Sequence, residues 1–216
     1  MPQYTAAQLR NAWKPTMSRL GFRIDHSRFV TSHGPIIHSV VFQRLQWSRD
    51  LLVKLFVSVI DPFEPDVQLN HRVCLHAYFE PDGVHFETRM HWDESDLPGN
   101  APLFERFGPP FFEQFKGIED LLAILHAAQA EFLLPEAYLR GPQPEPADPI
   151  AREFLSLQPS KPRGPIPASE ERLSLLYWHK GDMARSMEHA SRYLELIPDD
   201  QKMKARINAM RRPMIE

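Results

Sequence analysis

The stretch Arg72-Val-Cys-Leu-His-Ala-Tyr-Phe-Glu-Pro-Asp-Gly-Val-His-Phe-Glu-Thr-Arg-Met-His-Trp92 sorts its residues by parity on either side of Glu80-Pro81-Asp82-Gly83. Val73, Leu75, Ala77 and Phe79 share one parity in the first arm, and Val84, Phe86, Thr88 and Met90 share one in the second. Alternation of this kind marks a strand with one buried face, and Pro-Asp-Gly is turn chemistry, so the segment predicts a β-hairpin. Pairing Phe79 with Val84 across a four-residue loop puts both apolar sets on one face, whereas a three-residue loop slips the register and mixes them. The opposite face then carries Arg72, Cys74, His76, Tyr78, His85, Glu87, Arg89 and His91. In that register His76 lies opposite Glu87, and Tyr78 opposite His85.

Working upstream, Phe22 to Val30, Ile36 to Arg44 and Leu51 to Ile60 are further strand candidates, rich in β-branched and aromatic residues and separated by turns such as Ser32-His33-Gly34-Pro35. Short connections favour an antiparallel meander of about five strands, because parallel neighbours need crossovers of a dozen residues or more. Before them, Leu9, Trp13, Met17 and Leu20 form one stripe of an amphipathic helix over Thr5 to Leu20, which Gly21 ends. Pro15 inside that stripe predicts a kink or a break into two shorter helices. After the hairpin, Leu103 to Leu134 reads as helical, with Leu121 to Phe132 its clearest helix former. The proline-broken segment Asn100 to Phe115 holds five phenylalanines, and reads as a loop that plugs the sheet's open side or forms an exposed partner-contact patch. Helices at both ends of an antiparallel run make residues 1–140 an α+β domain.

Proline divides the chain. Of 21 prolines, against about 11 expected at average usage, eight fall between Gly141 and Pro167. Residues 141–168 therefore read as an extended connector, in which Ile150 to Leu157 has the pattern for two helical turns. Beyond it, Glu170 to Pro198 resembles one tetratricopeptide repeat. Leu173, Ser174 and Tyr177 stand at the repeat's Leu, small and Tyr positions, Gly181-Asp182 at its inter-helix turn, Ser186 and Ala190 at later packing positions, and Pro198 at its close. Glu170 occupies the usual Trp position, and Tyr193 a usual Ala position. A last helix, Asp199 to Met210, presents Met203, Ile207 and Met210 and completes a unit spanning 169–216. One such hairpin cannot bury its own apolar faces, so it must dock on the preceding domain, on a second copy as a homodimer, or around a peptide.

Several function classes are disfavoured. The balance of 25 basic and 28 acidic residues gives no electrostatic case for nucleic acid. No apolar run approaches the length of a transmembrane helix, and Gln3, Gln8, Arg10 and Asn11 stand where an export signal needs an apolar stretch. The single cysteine, Cys74, cannot form an internal disulfide and agrees with a cytoplasmic setting. Cys74 reads as a half-buried thiol rather than a nucleophile, since nothing marks its surroundings as electropositive. Ten histidines raise the question of metal, but His71, Cys74 and His76 have mismatched parity and no second cysteine pair or His-Glu-x-x-His helix accompanies them. No metal or other cofactor is expected. Trp13, Trp47, Trp92 and Trp178 read as core, since basic residues do not gather around them.

The hairpin's polar face admits one catalytic reading, metal-independent phosphodiester cleavage with Glu87 as base, His76 or His85 as acid and Arg89 stabilising charge. A solvated or partner-facing surface is the commoner use of such a face. The run Leu20-Gly21-Phe22-Arg23, Phe29, Val40-Val41-Phe42-Gln43-Arg44 and Leu55-Phe56-Val57-Ser58-Val59 is similar to an uncharacterised bacterial family of small helix-plus-sheet domains. That family implies no catalytic residues. Some small acidic α+β proteins of this type look like immunity or accessory proteins of toxin loci. The expectation is a non-catalytic module binding another protein, most concretely an immunity-type inhibitor occluding a toxin domain, through Arg72, His76, Tyr78, His85, Glu87, Arg89 and His91. The second expectation is a tetratricopeptide-type adaptor in which Glu170 to Pro198 binds a peptide.

Overall fold

A computed structural model describes residues 5–44, 51–64, 71–85, 97–131 and 167–211. The connector at 141–166, with its Ile150 to Leu157 turns, lies outside the described residues, as do Trp47 and the second hairpin arm beyond His85.

The chain opens with α1 (Ala6–Arg19). The Thr5 hydroxyl accepts the Gln8 N–H while the Gln8 side chain accepts the Thr5 N–H, a reciprocal cap that fixes the helix start. The helix continues through Pro15 instead of breaking into two. The carbonyl that Pro15 leaves unbonded belongs to Asn11, on the exposed side of the helix where water can take it. Leu9, Trp13 and Met17 are fully buried, as their spacing requires.

Six strands follow: β1 (Arg23–Asp25), β2 (Arg28–His33), β3 (Ile36–Arg44), β4 (Leu51–Ile60), β5 (His71–Glu80) and β6 (Gly83–His85). They pair in chain order and antiparallel throughout, the expected meander in an α+β fold. The extra strand arises because Phe22 to Val30 is not one strand. The chain turns at His26, whose φ of 51° lies in the left-handed region, and β1 folds back on β2. In the deciding hairpin Phe79 pairs with Val84 and Tyr78 with His85, the register that the alternation demanded. Glu80 also pairs with Gly83, so the connection tightens to Pro81 and Asp82.

One sheet face is the core. Register places Phe42, Val53 and Phe79 in one row across three strands, and Val40, Leu55 and Ala77 in another. Trp13 of α1 sits on the first row, with ring centroids 5.1 Å from Phe42 and 5.9 Å from Phe79. Phe104 completes the cluster, 5.6 Å from Trp13 and 5.4 Å from Phe79. Phe104 belongs to α2 (Ala101–Glu113), which follows a single 3-10 turn at Leu97–Asn100 and runs straight through Pro109 and Pro110. The segment expected to be a proline-broken loop is thus mostly helix, and Phe104, Phe111, Phe112 and Phe115 are buried in the core rather than displayed. Helix α3 (Ile118–Glu131) follows.

The opposite sheet face carries no contact from α1 or α2 through these rings, yet it is not flat. Arg28 of β2 donates to His71 Nε2 of β5 at 2.6 Å, although β3 and β4 lie between their strands. The sheet must therefore coil until two of its corners meet over this face. Val30, Ser39 and Ser58, which share that face by register, are buried.

The C-terminal part forms α4 (Pro167–Lys180), α5 (Met183–Leu196) and α6 (Gln201–Arg211). Gly181 adopts φ 83° at the α4–α5 turn, and Asp182 caps α5 by accepting the Arg185 N–H. Ser186 donates to the Ser174 carbonyl at 2.8 Å, a contact that only small side chains permit between the two helices. Leu173, Leu175, Leu176 and Tyr177 join the same core cluster as the sheet, while Ala190, Met203 and Ile207 form a smaller one between α5 and α6. The hairpin buries its apolar face on the α+β part of the same chain.

Candidate functional site

The residues expected on one polar face separate. His76 is exposed on the face opposite the core, with its ring 6.1 Å from Phe56 and 5.7 Å from Tyr78. Lys54, opposite Tyr78, places its ammonium 5.2 Å from the Tyr78 ring centroid. Partial burial, followed by the charges of Lys54 and Arg172, lowers the His76 pKa, so its ring is held towards the neutral form. Phe56 and His76 form one cross-strand row, and Lys54, Tyr78 and His85 the next.

Arg72 does not belong to that face. Val57 pairs with Leu75 but Ser58 pairs with Val73, so Cys74 is the extra residue of a β-bulge. The bulge reverses parity for everything before it. Arg72 consequently pairs with Val59 on the core face and points to the end of the sheet where α4 lies. Its Nε donates to Glu171 at 3.0 Å, and its Nη2 lies 3.2 Å from Asp61 and 3.5 Å from Glu64. Burial opposes the Arg72 charge, but the Glu171 hydrogen bond and the nearby carboxylates outweigh it and raise the pKa. Arg206 of α6 enters the same cluster, pairing with Asp61 and, at 3.2 Å, with Glu171.

His85 keeps its expected register but not its exposure. Only 6% of it is accessible, and its Nε2 donates to Asp82 Oδ1 at 2.8 Å. Glu87, Arg89 and His91 lie outside the described residues, so the Glu87–His76 pairing lies there too. Cys74 is 5% exposed, and burial pushes its pKa up to about 12, which keeps the thiol protonated and unreactive at neutral pH.

Two groupings escaped the sequence reading. Between α3, α4 and α5, His189 Nδ1 lies 2.7 Å from a Glu170 carboxylate oxygen, with both residues buried. The Tyr177 ring stacks on His189 at 5.3 Å and 4°, and the Tyr177 hydroxyl meets His126 Nε2 at 2.8 Å and Arg185 at 3.4 Å. A carboxylate orienting an imidazole is the arrangement of many general bases, but here the members chiefly satisfy one another across three helices. The signal was Glu170 at a position where the repeat has Trp. The second grouping, Glu80, Asp82 and His85 at the β5–β6 turn, brings three ligand atoms within 4.8 Å of one another. It is the one set of three or more metal-ligating side chains found among the described residues.

Among the described residues no helix is long and apolar enough to cross a membrane. Compared with known proteins, the chain matches no family model, no curated protein and no solved structure.

Proposed function

We propose that this chain is a cytoplasmic, non-catalytic protein-binding module, in its most concrete form an immunity-type inhibitor that occludes a toxin domain. The observation supporting this reading is the division of the sheet. Trp13, Phe104 and Phe112 cover one face, and the other presents Phe56, His76, Lys54 and Tyr78 as adjoining rows. Aromatic side chains with a polar tip give large contact area at little entropic cost, and they recur as binding hot spots. The recognition surface is accordingly the Lys54–Phe56–His76–Tyr78 strip, and Arg72 is assigned to internal packing instead.

Immobilised full-length chain incubated with lysate of the source cell should retain one dominant protein, whose own activity falls on stoichiometric addition of the free chain. Tyr78→Ala or Phe56→Ala should weaken that complex by about tenfold or more if either is a hot spot. Unchanged affinity in both variants would remove the strip from the interface. Cleavage of RNA or DNA by the purified chain alone would overturn the non-catalytic reading.

A further inference from the structure

The rows of β4 and β5 that face away from the core carry charge that the chain does not match. Register sets Lys54 opposite Tyr78 and Phe56 opposite His76. The Lys54 ammonium rests 5.2 Å from the Tyr78 ring centroid, and among the described residues it has no carboxylate partner. Arg172 of α4 is half-buried and has neither a hydrogen bond nor an ion pair among the described residues. Its charge reaches this face, since it acts together with Lys54 against protonation of His76 and also acts on the neighbouring Cys74 thiol. Elsewhere cations find carboxylates: Arg72 and Arg206 share Asp61 and Glu171, Lys116 takes Glu113 and Lys180 takes Glu119.

The occupant follows from the chemistry of the two unmatched cations. A carboxylate bonds a guanidinium in bidentate fashion and an ammonium by a charge-assisted bond, so it supplies what a partly desolvated Arg172 lacks. Phe56, Tyr78 and the neutral His76 ring add aromatic area beside the charges, the mixture typical of a protein interface. Nucleic acid fits less well. Strong phosphate binding draws on about 6–10 cationic contacts, whereas the described part of this face offers Lys54 and Arg172 on a chain of net charge -3.

Building on the strip as the recognition surface, we propose that its partner docks through an acidic segment, whose carboxylates meet Lys54 and Arg172 while an adjoining apolar side chain covers Phe56 and Tyr78.

The test titrates full-length chain into labelled peptides that share the same phenylalanines and differ only in being rich in glutamate, glutamine or lysine, and into a labelled uridine oligonucleotide. The glutamate peptide should bind about tenfold or more tighter than the glutamine peptide, and added salt should erase the difference. Lys54→Glu and Arg172→Glu should each lower its affinity by about tenfold or more, because like charges then face each other. The doubly substituted chain, with the circular dichroism of the parent, should instead prefer the lysine peptide, a reversal that loss of folding cannot produce. Equal affinity for the glutamate and glutamine peptides, or no saturable binding of the glutamate peptide, would overturn the acidic partner. So would tighter binding of the oligonucleotide that the same substitutions abolish. Phe56→Ala and Tyr78→Ala separate this outcome from failure of the surface itself. If they weaken peptide binding while the charge substitutions do nothing, the strip remains a recognition surface and only the acidic partner is refuted. If all four substitutions do nothing, the recognition reading falls as well.

Discussion

His38 is a base that the fold keeps uncharged. It is fully buried, stacks on Phe112 at 4.6 Å and 17°, and donates Nε2–H to the Phe115 carbonyl at 2.8 Å, while its Nδ1 has no partner. Burial lowers its pKa from 6.5 to about 4, against the raising effect of the Phe115 carbonyl and with a further lowering by His33 and Lys116. Between those two values the unfolded chain carries a proton that the native chain does not. Native stability is therefore complete above about pH 6.5 and declines as the pH falls towards 4, by about 3 kcal/mol from this residue alone. His38→Gln retains an N–H donor for Phe115 but cannot titrate. Urea midpoints measured from pH 7 to pH 4 should fall less steeply for the variant than for the parent, and parallel profiles would show that His38 is not the titrating group.

At the scale of the element, α2 is held by what it lacks. A Cβ at Gly108 would come within 2.4 Å of the Phe104 ring, whose atoms are fully buried against Trp13, Phe22 and Phe79. Helix propensity favours alanine over glycine by about 1 kcal/mol. The clash must displace a ring locked among three others, and overpacking of this sort costs about 1–3 kcal/mol or more. Gly108→Ala should lower the unfolding midpoint in spite of its better propensity, and a raised midpoint would mean that the cluster yields easily. The same helix shows where sequence patterns mislead. Pro109 and Pro110 argued for a loop, but the carbonyls they leave unbonded belong to Glu105 and Arg106, both exposed residues, so the helix passes through. The meander and the Phe79–Val84 register were legible because alternation leaves only one pairing that buries both apolar sets. The reversal at Cys74 was not, because a bulge is set by the partner strand, and no residue near Cys74 announces that Arg72 turns to the core face. At the β5–β6 turn, the parity of Glu80 and His85 was readable, but treating Glu80 to Gly83 as loop hid that Glu80 is still part of the strand.

For the whole molecule, the question is whether α4, α5 and α6 unfold with the sheet or apart from it. Apolar continuity argues for one unit, since Leu173, Leu175 and Leu176 are fully buried in the cluster that includes Val57, Val59 and Leu75. Charge pairing reinforces it. Asp61, 1% exposed, pairs with Arg206 and with Arg72, and Glu171 pairs with the same two arginines, so α4, α6 and the ends of β4 and β5 share one network. His179 adds a bond to the Ile60 carbonyl at 2.7 Å, and Phe63 packs on Trp178 at 4.7 Å. Breaking a buried ion pair from one side costs about 3–5 kcal/mol, because the remaining charge stays buried. Arg206→Ala should fall at the low end, about 3 kcal/mol, since Asp61 keeps Arg72. Asp61→Asn combined with Arg206→Met should cost less than the sum of the single changes, because groups in one network do not act independently. Two native reporters test the unity directly: Trp13 lies in the sheet core and Trp178 on α4. Within each variant that retains only one of these tryptophans, fluorescence and far-UV circular dichroism should report coincident transitions, and Arg206→Ala should move both signals together. An earlier Trp178 transition would mean that the helical hairpin opens on its own. In that case the shared core would be too weak to couple the two parts, and the peptide-adaptor reading of the hairpin would regain its physical basis.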